Sequence, residues 1–142
     1  MYKFTKDATD NFFNNILGLD ILECKTDSYK NFLYSKISIY ADEIKYDILF
    51  FLKKETIKLI SNILLFEENP DEQTMIDILK EVANLIGGTA KTLIEDSDED
   101  LEYKLSTPEY LGSINDIKAL NLDKKFAKKV KNRCFVIAIE EE

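Results

Sequence analysis

The chain has 142 residues and a mass of 16.5 kDa, so we expect residues 1–142 to form a single domain with its own apolar core. Histidine is absent, which excludes histidine-activated nucleophiles and zinc sites with histidine ligands, and the net charge of −8 argues against binding to nucleic acid. Because the sequence has neither a signal-peptide pattern nor an apolar run near the roughly 20 residues that span a bilayer, we expect a cytoplasmic protein without membrane contact.

The first predicted element is a helix over residues 5–17. Its apolar positions recur at helical spacing, and Thr5 or Asp7 is a suitable N-cap. Gly18 follows directly, and glycine is the residue that most often ends a helix.

A hairpin and a second helix follow. From 32 to 52 apolar residues alternate with a period of two on either side of the polar turn 41–43, which is typical of two antiparallel strands. Residues 55–66 return to helical spacing. Pro70 then suits the first turn of another helix, so helix two is expected to lead directly into helix three.

Helix three is predicted over about 71–94, before an acidic run at 95–100 that favours a solvated loop over a metal site. The lysine-rich segment 123–133 is predicted to be the solvated face of a strand or a helix. Short strands are predicted at 101–106, 110–114 and 133–139. The predicted fold class is α+β, an antiparallel sheet packed by helices.

The two cysteines, Cys24 and Cys134, are far apart in the sequence and form no C-x-x-C pair. This spacing argues against a disulfide framework and against a zinc ribbon. We therefore expect two ordinary thiols.

Helix three separates into two faces at about 100° per residue. The apolar face consists of Ile76, Leu79, Val82, Ala83, Ile86, Ala90 and Leu93. Within an arc of roughly 80° on the opposite side lie Asp77, Glu81, Asn84, Gly88 and Lys91. We call this set the polar face and expect it to be exposed.

The same helix contains two adjacent glycines, each of which costs about 1 kcal/mol relative to alanine in a helix interior. Gly88 lies one turn beyond Asn84, where a missing side chain would let another backbone approach the amide. Gly87 and Ala83, toward the core, would permit close packing.

The pattern D-x3-E-x2-N, followed by N-L-I-G-G-T-A-K and then by Pro108 and Gly112 in TPEYLG, resembles the signature of the CheC/CheX/FliY phosphatases of bacterial chemotaxis. E-x-x-N occurs once, which favours the CheX type because CheC carries a second copy. The likeness covers most of the chain, from a first helix ending in NNILGLDI to the terminal strands. Two features depart from the family pattern: the hairpin ADEIKYDILFF lacks the usual glycines, and Pro108 lies slightly farther from Asn84 than usual.

The resemblance implies a CheC/CheX-like fold and hydrolysis of the aspartyl phosphate of a CheY-type response regulator. Asn84 would position the attacking water and Glu81 would dock on the regulator's lysine. Asp77, Gly88 and Pro108 would support them. This chain would need no metal or cofactor of its own, since the partner regulator would bind the Mg²⁺.

Two alternatives for the function and one for the assembly remain open at this point. The chain could be a catalytically idle CheX-like binding module for a response regulator or a flagellar-switch component, or a structural dimer unrelated to chemotaxis.

CheX-like proteins resemble one another in forming homodimers through sheet edges, and segment 31–40 has few charges to discourage edge pairing, so we expect a homodimer. A monomer whose lysine-rich C-terminal segment covers that edge is the alternative.

Overall fold

The computed structural model describes residues 1–25, 30–98 and 100–142. Within them, three α-helices pack against one face of a seven-stranded antiparallel sheet, so the predicted α+β class is confirmed. None of these helices is long and apolar enough to cross a membrane.

The helices are α1 (Tyr2–Asn11), α2 (Lys54–Leu65) and α3 (Glu72–Ser97), and a π-helical turn (Phe12–Ile16) continues α1. The strands are β1 (Leu22–Glu23), β2 (Lys30–Ala41), β3 (Ile44–Leu52), β4 (Lys104–Leu105), β5 (Glu109–Asp116), β6 (Lys124–Val130) and β7 (Arg133–Glu141). The three predicted helices and the hairpin are confirmed. Of the acidic run, residues 95–97 extend α3 and Glu99 lies outside the described residues.

Helix α1 begins earlier than predicted, and the proposed N-caps are wrong. Thr5 is buried inside the helix, and its hydroxyl donates to the Met1 carbonyl oxygen four residues back at 3.0 Å. A threonine in a helix interior can form this bond instead of capping an end. Gly18 does end the helical segment, with a φ of +69°.

The strands lie in the order β1-β6-β7-β3-β2-β4, and β5 pairs with the same side of β2 as β4 does. Segment 31–40 belongs to β2 and lies between β3 and the β4–β5 edge, so the expectation that it forms a free edge is wrong. The lysine-rich segment forms β6, which pairs with β7 and β1 instead of covering β2.

The sheet has two apolar faces. Toward the helices point residues such as Ile37, Ile48 and Phe50. The opposite face carries a smaller cluster around Phe51 and Val136, covered in part by the segment that crosses from β5 to β6. Because both faces are packed, β3 is apolar at seven of its nine positions.

The cysteine expectation is also wrong, since Cys24 and Cys134 form a disulfide with a Cα–Cα distance of 5.7 Å. Antiparallel pairing places Leu22 opposite Lys129, and Lys129 opposite Cys134, so the two cysteines reach the same end of the sheet. A contact across 110 residues of sequence has no local signal.

Gly87 lies where α3 approaches the sheet most tightly. A Cβ built at this position would stand 2.9 Å from Ile37 Cγ2 and 3.3 Å from Leu105 Cδ1, whereas one built at Gly88 meets nothing within 4 Å. Ile37 is fully buried and has little room to move. The close packing predicted for Gly87 is therefore confirmed.

The two glycines form a matched pair for a stability test. Both substitutions to alanine gain the same helix propensity, so Gly88→Ala should raise the free energy of unfolding by about 1 kcal/mol. Gly87→Ala should be less stable than Gly88→Ala by about 1–3 kcal/mol, because the added methyl overpacks the helix–sheet contact. Urea unfolding of both variants measures this difference, and equal stabilities would contradict the packing role of Gly87.

Candidate functional site

Helix α3 starts at a well-formed cap. The Asp71 carboxylate accepts a hydrogen bond from the Thr74 amide at 2.8 Å, directly after the buried Pro70. This backbone hydrogen bond holds the pKa of the Asp71 carboxyl below its ordinary value. Its contribution to stability is therefore present above the ordinary pKa of the carboxyl and is lost as the pH falls through the lowered one.

The rotation of α3 about its axis is fixed by its buried side. The predicted core positions Leu79, Val82, Ala83, Ile86 and Ala90 are buried. Ile76 and Leu93 are only half-buried, whereas Ile78 and Ile94 are buried in addition. The hydroxyl of fully buried Ser35 in β2 also donates to the Leu79 carbonyl oxygen at 3.2 Å. This bond fixes the position of α3 relative to β2.

The polar face points away from the core, as predicted. Asp77, Glu81 and Asn84 are exposed and Gly88 is half-exposed. Asp77 accepts a hydrogen bond from the Gln73 side chain at 3.0 Å. Within the part of the chain that the structure describes, the side chains of Glu81 and Asn84 form neither a hydrogen bond nor an ion pair. These two groups are available to a partner.

Lys91, the last member of the polar face, is held within the chain. Its ammonium contacts Glu95 Oε1 at 3.0 Å, while Glu95 Oε2 accepts a hydrogen bond from the Tyr103 amide at 3.0 Å. The bond from Lys91, followed by that from Tyr103, lowers the pKa of the Glu95 carboxyl. Glu95 thereby ties the end of α3 to the segment that leads into β4.

Pro108 lies between β4 and β5, on the strand edge that runs beside α3. Two contacts bracket it: Leu105 lies against Gly87, and Tyr110 lines a cavity of about 260 Å³ together with Met75 and Ile76. Leu105 pairs with Ile39 and Tyr110 with Ser35, so the edge between the two contacts covers four residues of β2, about 13 Å, beside about 16 Å of helix from Ile76 to Gly87. Pro108 is thus brought alongside the middle of α3, where Glu81 and Asn84 lie.

Several residues that shape this region were missed by sequence reasoning: Ser35, Ser38, Asp47, Glu95 and Ser106. Ser35 had a detectable signal, because it interrupts an otherwise apolar stripe of β2. Ser106 bonds Ser38 across 68 residues of sequence, which leaves no local pattern. The Ser38–Asp47 bond lies within the predicted hairpin, and Glu95 lies four residues after Lys91, but neither spacing by itself indicates a bond.

The site is an open surface. The two cavities of about 450 and 480 Å³ are lined by residues other than Glu81 and Asn84, and the described residues include no cluster of three acidic or cysteine side chains that could hold a metal ion. A convex helix face with free polar groups suits a macromolecular partner better than a small molecule, which needs a concave pocket.

The family model "Chemotaxis phosphatase CheX" matches residues 35–135, a range that contains α3, β4 and β5. No curated protein is similar enough to match the chain.

Solved structures share the fold at low sequence identity. CheX from Vibrio vulnificus superposes with a TM-score of 0.79 at 13% identity, covering 99% of this chain and 95% of that one. A CheC-like protein from Shewanella sp. PV-4 gives 0.76 at 22%, covering 99% and 96%. The CheX of a CheX–CheY–BeF₃–Mg²⁺ complex from Borrelia burgdorferi gives 0.68 at 15%, covering 99% and 96%.

The folds agree over nearly the whole length of each protein. At these identities the structural likeness establishes the architecture, while the family model adds the relationship in sequence. Since that model matches well over half of the residues, the chain belongs to the CheX family of chemotaxis phosphatases.

Proposed function

We propose that this protein hydrolyses the aspartyl phosphate of a CheY-type response regulator. The observation that carries this proposal is the pair Glu81 and Asn84, exposed and unbonded within the described chain, on a helix whose opposite side is fixed in the core. Family membership supports the reaction class, and the complex of a related CheX with CheY supports the choice of partner.

The proposed reaction requires few catalytic groups from this chain. An aspartyl phosphate is an activated acyl phosphate, and the regulator would supply its own Mg²⁺, so this chain would need no metal or cofactor. The remaining task is to hold one water in line with the phosphorus atom. No histidine is needed when positioning replaces general-base catalysis.

Asn84 is suited to hold that water. Its amide can both accept a hydrogen bond from the water and donate one, and being neutral it does not repel the phosphoryl group. Because no intramolecular bond engages this amide in the described chain, it is free to turn toward the reacting atoms. Gly88, one turn farther along, has no side chain, so the regulator's backbone can approach the helix there.

Glu81 is proposed to dock on the regulator. It lies one turn from Asn84 on the same face, and a carboxylate can form a charge-assisted hydrogen bond with the regulator's lysine. Asp77 and Pro108 are proposed to support the pair, Asp77 on the helix face and Pro108 from the edge strand beside it.

Recognition would depend on local contacts more than on long-range attraction. The chain carries a net charge of −8, and the metal site of a response regulator is also acidic. Two acidic partners gain little from electrostatic steering. The half-buried Lys80 lies one turn before Asn84 on the helix, where a cation can offset this repulsion.

The idle binding module stays the alternative. It would use Glu81 for docking but would have no use for a free amide at position 84, so the exposed, unbonded Asn84 favours the enzyme. An idle module would bind the regulator without accelerating phosphate release.

Asn84→Ala should keep the fold and lower phosphatase activity by about 10² or more, the scale of losing one preorganised hydrogen-bonding group. Phosphate release from a phosphorylated CheY-type regulator measures the effect. Asn62→Ala is a matched control, because Asn62 is also exposed on a helix but lies on α2. Near-normal turnover by a folded Asn84→Ala protein would refute the proposed mechanism.

Glu81→Gln should weaken binding to a regulator carrying BeF₃⁻ at least as much as it slows turnover, because the carboxylate's proposed role is docking. Titration calorimetry measures the affinity, and Glu68→Gln, in the exposed turn before α3, serves as the control. Unchanged affinity together with reduced turnover would instead assign Glu81 to the chemical step.

We also propose a homodimer. In the described chain β1 pairs only with Lys128 and Lys129 of β6, and β5 pairs only with β2, so both sides of the sheet offer backbone groups to a second copy. Sedimentation at micromolar concentration should give about twice the chain mass of 16.5 kDa. A mass near that of one chain would exclude the dimer under those conditions without affecting the catalytic proposal.

A further inference from the structure

The strand edge beside α3 contains an extra residue. β4 pairs with β2 through Ile39 and Leu105, and β5 resumes the pairing at Lys36 and Glu109. Two residues of β2, at positions 37 and 38, therefore face three residues of the edge, at 106–108. The edge bulges there, at the point where Pro108 passes α3.

A bulge containing proline creates a hydrogen-bonding problem for β2. Pro108 has no backbone N–H, and the interrupted ladder leaves backbone groups of β2 without their regular partners. Ser106 resolves this problem for Ser38. Its hydroxyl accepts the Ser38 N–H at 2.8 Å, and its own N–H donates to the Ser38 carbonyl oxygen at 2.9 Å.

Ser38 is fixed from its other side by Asp47. The two residues are paired directly across β2 and β3, and the Ser38 hydroxyl donates to Asp47 Oδ1 at 2.5 Å. The Asp47 side chain is only 6% exposed, with Lys45 Nζ 3.9 Å away. A continuous row of hydrogen bonds thus runs from the middle of the sheet to the edge, through Asp47, Ser38 and Ser106.

We infer that Ser106 is a positioning residue for the phosphatase reaction. By holding both backbone groups of Ser38, it determines where the edge leaves the ladder, and so where Pro108 stands beside α3. This inference rests on the proposed function, because it assumes that the α3 face and its Pro108 flank meet the phosphorylated regulator. Residues on the sheet face opposite α3 would then influence the reaction although they touch no reacting atom.

Ser106→Thr and Ser106→Val test the inference as a matched pair. The two side chains have the same shape and the same preference for strands, so they differ in the hydroxyl that accepts the Ser38 N–H. Ser106→Val should lower kcat by about tenfold, because misplacement far from the chemistry can cost up to about 10²-fold. Ser106→Thr should stay within about threefold of the unaltered protein, since it keeps the acceptor.

The readouts separate positioning from general stability. Affinity for a regulator carrying BeF₃⁻ should change less than kcat in Ser106→Val, and amide exchange at Ser38 should be faster in Ser106→Val than in Ser106→Thr. Ser113→Ala, an exposed serine on the same edge, is the control and should behave like the unaltered protein. If the valine variant does not fold, Ser106→Ala repeats the test with a smaller side chain.

Equal kcat values for the threonine and valine variants, with the unaltered protein active, would overturn the positioning role of Ser106. Equal losses in kcat and in affinity would also overturn it, since they indicate a docking defect. If the unaltered protein itself releases no phosphate from any phosphorylated regulator, the proposed function fails, and the positioning role fails with it.

Discussion

The close contact between α3 and β2 at Gly87 sets the geometry of the rest of the molecule. A hydrogen atom in place of a side chain lets the helix rest on Ile37 and Leu105, and the Ser35 hydroxyl bonds the Leu79 carbonyl two turns earlier. Two fixed points along one helix leave no freedom of rotation. The direction of the polar face, and therefore the exposure of Glu81 and Asn84, follows from contacts on the opposite side.

The same contact links the helix to the edge of the sheet. Leu105 touches Gly87 from β4, and beyond it the edge bulges past α3 before β5 resumes. Helix and edge together make an open surface supported by buried residues of α3 and β2. Such a surface can position a water only if a partner closes over it. The proposed division of labour follows: the regulator brings the phosphoryl group and its metal, and this chain brings a rigid amide.

Sequence periodicity was sufficient for the parts of this structure that are local. Helix α3, its polar face and the hairpin were predictable because hydrophobic spacing and turn residues act over a few positions. The bulge at 106–108, the Ser106–Ser38–Asp47 row and the position of β2 inside the sheet depend on which strands pair, which spacing does not encode. Thr5 shows a further limit, because a helix N-cap and an interior hydroxyl bond use the same residue types.

The disulfide encloses most of the chain in a covalent ring and leaves a smaller part outside it. The bond between Cys24 and Cys134 joins residues 110 apart, so β2 to β6 and all of α3 lie inside one covalent ring, while α1 and most of β7 lie outside it. Closing a ring of this size removes loop-closure entropy from the unfolded chain worth about 4–5 kcal/mol in the chain-entropy model. In this model, reduction of the Cys24–Cys134 bond lowers stability by restoring entropy to the unfolded ensemble, and it leaves the side chains of the polar face chemically unchanged.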